Sequence, residues 1–453
     1  MPPSVFPTGT TIYYPEKCWN GYTLFPSELH RNPSRGAALI DMNGHTVKLW
    51  KGLDGFPNKM LLPTVGSVGH VMGSTGIRNT RYGYQDMVDL VEVDWEGNTV
   101  WKFDGYELIK DPRQKPRWMA RQHHDYQREG NPVGYYVPGT ETKTNGKTLI
   151  LCHKNLKNPK ISDKLLVDDT IIEVDANGAI TWEWVCSEHF EEMGFDADAK
   201  KVLQLNPDIQ PMSGKVGDWM HMNSISWLGP NRHFDGGDKR FHPDNIICDG
   251  RQTNIIAIIE RTTGEIAWQL GPYFRENDAL RKMGQIIGQH HAHMIPRGLP
   301  GEGNILLFDN GGAAGYGAPN PTSPDGLSNA KRDFSRVLEF DPITLEIKWQ
   351  YPAPTPLPGG GRIYSTFVSS AQRLPNGNTL ITEGNGGRII EVTPEREIVW
   401  EYISPYVHRT MKFTLVYRAY RVPYDWAPLE KPEEKAVPRI DNSKFRVRVR
   451  RKG

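Results

Sequence analysis

One pattern recurs six times along this chain and constrains its fold more than anything else. An apolar strand runs into a polar turn residue, then Gly or a substitute, then a returning strand that carries tryptophan. The six copies are Ala38 to Trp50, Val91 to Trp101, Ile171 to Trp184, Ile256 to Trp268, Val337 to Trp349 and Ile389 to Trp400. In four of them Trp stands seven positions after the Asp-like residue: Asp94 to Trp101, Asp175 to Trp182, Arg261 to Trp268 and Thr393 to Trp400. Alternating apolar residues around a short Asp/Gly turn specify a β-hairpin. Further strands precede several copies, at Gly146 to His153, Asp244 to Gly250, Gly303 to Gly312 and Gly377 to Gly387. Two hairpins make a four-stranded sheet, and radial repetition of such sheets makes a β-propeller. The expectation is all-β: a six-bladed propeller of four-stranded antiparallel blades over residues 9–422, with a C-terminal arm or tail over 423–453. Successive tryptophans stand 51, 81, 86, 81 and 51 residues apart, so the middle units carry inserted loops, including an expected helix at Ser187 to Lys201. Pro423 to Pro438 reads as a surface arm, and Phe445 to Arg451 as an edge strand or solvated tail.

Composition narrows the function classes. Gly 45 and Pro 35 in 453 residues fit a protein of short strands and tight turns. With 54 Lys+Arg against 53 Asp+Glu, the chain lacks the basic excess of a general nucleic-acid binder. No apolar run is long enough to cross a membrane as a helix. The start has neither a basic nor an apolar signal region, so a cytoplasmic location is expected. Four scattered cysteines, Cys18, Cys152, Cys186 and Cys248, form no CxxC and read as free thiols in a reducing compartment.

Histidines recur just before the strand that opens a unit, which in a propeller lies near the central axis. They are His70, His123 and His124, His221 (with Asn223), and His290, His291 and His293. One such residue is ordinarily structural; the same offset in four units points to a site.

The repeat grammar, the opening GTTIYYPEKCWNGYTLF, and the motifs DWMHMNS and QHHAHMIP…GNILLFDNG resemble the arylsulfate sulfotransferase family over roughly Gly9 to Tyr402. The resemblance implies a six-bladed propeller that moves a sulfuryl group between phenols by a ping-pong route, without metal or nucleotide. Carried over by motif, it implies a nucleophile at His290, with His291 or His293 beside it. It also implies His221 and Asn223 from the His-x-Asn motif, Arg251 on the following strand, and a further histidine at His124, or His123 in a shifted register. These residue types suit the reaction. A neutral imidazole can attack sulfur and divide one hard transfer into two easier ones. A guanidinium stabilises the charge on three sulfuryl oxygens, and histidine can protonate a departing phenol near neutral pH.

The sequence supports a second reading. Histidines from separate blades can converge on copper, iron or zinc, and His70, His124, His221, His291 and His293 would be the ligands in an oxidoreductase or lyase. Strand alternation lets His291 and His293 point together while His290 faces away. A third reading, a binding platform only, needs no ionisable groups on the axis. Aromatic residues near the motifs suit a small aromatic substrate, with His123, Tyr126 and Trp219 as candidate contacts, or else pack the blades. No nucleic-acid or membrane partner is expected; oligomeric state stays open, a homo-oligomer included. His408 could reach over the axis from the tail.

Overall fold

The computed structural model describes residues 7–27, 36–61, 68–79, 85–140, 142–143, 146–208, 217–354, 363–407 and 413–439. His408 and the Phe445 to Arg451 segment lie outside them. Short strands paired antiparallel dominate, and the fold is an all-β propeller. Four blades stand as separate sheets. One orders Tyr420–Val422, Tyr22–Pro26, Gly36–Ile40 and Thr46–Lys51. The second holds Met222–Trp227, Ile246–Gly250, Ile255–Ile259 and Ile266–Leu270, and the third His290–Met294, Ile305–Asp309, Arg336–Phe340 and Ile347–Tyr351. The fourth holds Ser370–Arg373, Thr379–Glu383, Arg388–Val392 and Ile398–Ile403, with Gly9–Tyr13 added at its outer edge.

Six separate blade sheets were expected, and here the structure differs. The strands assigned to the other two, from Lys59–Met60 to Thr99–Phe103 and from Gln122–Arg128 to Ile180–Val185, are hydrogen-bonded into one eight-stranded sheet. The cause is local. A small hairpin of Glu107–Ile109 and Arg117–Met119 returns the chain alongside Met87–Val93. There Gln122 pairs with Met87 and the Ala120 N–H donates to Val88 O at 2.7 Å. The repeat pattern encodes hairpins and carries no information about this sideways junction.

The physical content of the repeat lies in its turns and its tryptophans. In the turns, Asp94 Oδ1 accepts from the N–H groups of Gly97 and Asn98, both at 2.8 Å, and Asp175 Oδ1 accepts from Asn177 and Ala179, both at 2.9 Å. Asp is therefore the turn residue because its carboxylate satisfies backbone donors that the tight turn leaves over. Each indole N–H reaches the turn of the next unit. Trp50 donates to Asp94 O, Trp101 to Ala176 O, Trp184 to Gly264 O, Trp268 to Pro342 O and Trp349 to Pro394 O; Trp400 donates to Met42 O and closes the circle. The distances run from 2.8 Å for Trp184 to 3.1 Å for Trp101 and Trp268. Such a bond is worth about 1 kcal/mol net, and it fixes the angle at which neighbouring apolar faces meet. Between those faces lie the cores, for example Leu149, Ile171, Trp184, Ile225, Cys248 and Ile255.

The expected helix at Ser187 to Lys201 is divided. A 3-10 segment at Cys186–Met193 ends at left-handed Gly194, and a true helix, Ala197–Leu205, starts where Asp196 caps the Ala199 N–H. The expected arm is partly docked. Trp426 is buried and donates to Leu61 O, and Val437 pairs with Tyr13. The four cysteines are free thiols, three of them buried. Among the described residues no helix is long and apolar enough to cross a membrane.

Candidate active site

The innermost strands of neighbouring units begin alike. A residue with positive φ stands at the entrance of each: His124 at 52°, His221 at 53°, His291 at 58°, and Val368 with Ser369 at 57° and 88°. The pairing register slips across His124 and His291, between Gln122 and Tyr126 and between His290 and His293, and just after His221, between Met222 and Ser224. These are bulges, which re-aim side chains next to a site. A non-glycine residue in this backbone region is strained and persists where the surroundings hold it.

The bulges gather His124, His221 and His290. The His124 and His221 rings are 4.6 Å apart, centroid to centroid, and His124 shares an Nδ1 to Nδ1 hydrogen bond of 2.8 Å with His123. His221 is held through Nδ1 by Asp218 Oδ2 at 2.7 Å. His290 presents Nδ1 to Asn310 Oδ1 at 2.8 Å and to Gly288 O at 3.1 Å. The Asn310 amide donates to Ser365 O and Val368 O, so its oxygen must face the histidine. Two acceptors at Nδ1 place the proton there, leaving the lone pair on Nε2, which accepts the Val368 N–H at 3.1 Å. Burial holds His290 well below the usual histidine range, and the charge of Arg251 adds to the effect. Burial does the same to His124, with the charge of His221 next, and to His123, with His153 next.

Arg251 belongs to this floor. Its backbone N–H donates to His221 O at 3.0 Å and its guanidinium to Gln252 Oε1 at 3.0 Å. It lines a cavity of about 430 Å³ together with Tyr364, Phe367, Lys331, Thr366 and Ser328. A larger groove of about 780 Å³ is walled by Lys282, Trp349, Pro352 and Arg396; neither it nor the smaller cavity is lined by these histidines, and Arg251 lines only the smaller one.

Other sequence-derived candidates have different work. The Asn223 amide braces the neighbouring inner strand: Nδ2 donates to Gln289 O at 2.8 Å, and Oδ1 accepts the His291 N–H at 3.1 Å. Tyr126 is buried with its hydroxyl on Pro57 O and Met72 O, and Trp219 is buried with its indole on Asp168 Oδ1. Both pack the blades and do not line the cavity beside Arg251. His123 sits behind His124, not in front of it. The five-histidine metal set is not assembled. His70 pairs with Glu92 at 2.8 Å on a separate, partly exposed strand end. His291 and His293 do point together, 4.4 Å apart, but toward Tyr135 and Tyr420. The one grouping of metal-ligand type among the described residues is His123, His153 and Asp169.

Sequence reasoning missed the supports. Lys59 pairs with Asp125 at 2.6 Å, both buried, and Arg418 reaches Asp125 Oδ2 at 3.1 Å and Asn223 O at 3.0 Å. Tyr417 packs against Phe56, ring centroids 4.2 Å apart and tilted by 39°, and donates to Asn223 O. Burial and the Arg418 charge push His291 down, and burial brings His293 down to about 3. Asp218 and Asn310 stand inside the two quoted motifs and His153 ends a recognised strand, but none of the three was singled out by residue type or spacing.

The fold is a β-propeller whose inner strands carry a cluster of buried histidines. The family model of Arylsulfotransferase (ASST) matches residues 140–401, more than half of the chain, and the chain belongs to that family. No curated protein matches it in sequence. Among solved structures it is similar to a protein of unknown function from Bacteroides caccae (11% identity, 89% of this chain and 99% of that one, TM-score 0.45). It is also similar to virginiamycin B lyase from Staphylococcus aureus (12%, 89% and 87%, TM-score 0.34) and to the Dos1 propeller (10%, 90% and 75%, TM-score 0.33).

Proposed function

We propose that this enzyme transfers a sulfuryl group from an aryl sulfate to a phenolic acceptor through a sulfated His290. The observation that carries the reading is His290 itself: buried, neutral, its Nδ1 proton held by Asn310, its lone pair on Nε2, and Arg251 beside it. In the first half-reaction Nε2 attacks sulfur in place of the Val368 N–H, the N–S bond forms and the S–O(aryl) bond breaks. The electron pair leaves on the phenol oxygen, which takes a proton from His221. With Nδ1 held on Asp218, His221 gives the proton here and removes one from the acceptor in the second half-reaction. Arg251 faces the charge that develops on the sulfuryl oxygens. Asn310 keeps hold of the Nδ1 proton as His290 becomes cationic. Tyr364 and Phe367 give the cavity aromatic walls beside its cations, which suits an aryl anion. Neither nucleotide nor metal enters these steps. In the same reading the eight-stranded sheet counts as two blades joined at Gln122 and Met87, giving six around the axis; the circle of six tryptophan contacts supports this.

The test is to mix the protein with an aryl sulfate and no acceptor, quench in base, and digest. The expected product is one added SO₃ on the peptide that contains His290, discharged when a phenol is supplied. Phenol release with no such adduct, or an adduct that survives in His290→Ala, would overturn the proposal.

A further inference from the structure

We propose that His123, His153 and Asp169 bind a divalent first-row transition ion of the zinc type. His153 stands opposite Asp169 on adjacent strands, and its ring stacks on His123 at 3.6 Å. His153 gives Nδ1 to Asp86 Oδ1 at 2.7 Å. Asp86 is a carboxylate fixed by Arg78 and Arg121, each at 2.9 Å, so it accepts, and the His153 lone pair lies on Nε2. His123 has its Nδ1 engaged with His124. Asp169 spends Oδ2 on the Met222 N–H at 2.9 Å, which leaves Oδ1 facing the two rings. That oxygen lies 3.1 Å from His123 Nε2 and 3.8 Å from His153 Nε2. All three atoms are buried and none has a hydrogen-bond partner.

Three buried polar atoms this close together and without hydrogen-bond partners are costly unless a cation satisfies them. Ligands about 2.1 Å from a tetrahedral ion stand about 3.4 Å from each other. The three atoms lie within 4.8 Å of one another, so small ring rotations close the set. Two imidazoles and one carboxylate suit zinc or iron and leave positions open. The outer contacts also match a metal centre, in which each ligating histidine has its second nitrogen held by another group. Here Asp86 holds His153, and His124 holds His123.

Such an ion would polarise the His123 ring, so that Nδ1–H donates to His124 Nδ1 and sets His124 with its proton on Nε2, toward His221. That consequence rests on the sulfuryl-transfer reading; the binding site does not.

The experiment reads metal alone. The full chain is stripped with chelator, then titrated with Zn(II) by calorimetry and with Co(II) by visible absorption. One ion per chain is expected, with a higher unfolding temperature, a Co(II) spectrum of nitrogen and oxygen ligands without a thiolate band, and affinity at least tenfold weaker in His153→Gln and Asp169→Asn. No binding, a thiolate band, or unchanged affinity in both variants would overturn the site. The Co(II) spectrum of the unaltered chain decides the matter if the variants do not fold. Sulfation of His290 is not measured, so failure here leaves that reading standing.

Discussion

The deeper histidine pair offers a quantitative test of how this axis is built. His293 is buried, gives Nδ1–H to His291 O at 2.8 Å, and accepts the Tyr135 hydroxyl on Nε2 at 3.0 Å. Burial takes it down to about 3, against about 6.5 in an unfolded chain. The folded-state value is depressed, so the unfolded chain binds a proton below about pH 6.5 that the native protein refuses. The stability His293 contributes is therefore complete above pH 6.5 and is lost as pH falls toward 3. At about 1.4 kcal/mol per pH unit the full loss is about 5 kcal/mol, of which about 2 kcal/mol falls between pH 7.5 and 5.0. His293→Gln keeps a donor and an acceptor in place but cannot titrate. Urea unfolding of both proteins at pH 7.5 and 5.0 gives four free energies. The variant should lose about 2 kcal/mol less than the unaltered chain over that interval, whatever its stability at pH 7.5, because every other titrating group cancels in the difference. Equal losses within about 0.5 kcal/mol, with unchanged urea slopes, would refute the claim that this imidazole is kept neutral by burial.

Arg251→Lys should lower turnover by one to two orders of magnitude, the size of an oxyanion-donor loss, with an unchanged melting temperature; steady-state kinetics beside a thermal scan separates the two. Asp218→Asn removes the carboxylate behind His221 and should cost about 10²-fold in kcat, with KM nearly constant, in the same assay. Trp268→Phe deletes one inter-unit hydrogen bond and should cost about 1 to 2 kcal/mol in urea unfolding while turnover at saturating substrate stays normal.

The hairpins were legible because alternation and an Asp turn are local, and each of the six repeats supplies a strand pair where it was expected. The third tryptophan shows the limit. The seven-residue spacing singles out Trp182, yet Trp184 makes the contact to the next turn, while Trp182 lies under the Arg261 guanidinium at 4.5 Å. Two residues along a strand keep the same face, so spacing alone cannot choose between them. The separation of His290 from His291 and His293 follows from strand alternation and is present; the bulge that sharpens it depends on a backbone conformation invisible in residue type. His153 closed a recognised strand without attracting notice, since its meaning comes from Asp86 and Asp169, which are brought near by pairing. The junction at Gln122 and Met87, like the docking of Arg418, is a contact between distant segments with no local signature.

That docking bears on how the protein is made. A ribosome releases His124, His221 and His290 long before it reaches Tyr417, Arg418 and Tyr420, which hold Asp125 and the backbone of Asn223 behind them. A nascent or clipped chain ending before Tyr417 therefore contains every residue assigned to the reaction but not the wall that sets their positions. A chain truncated before Tyr417 should therefore show little turnover in the same assay, although it carries each of those histidines.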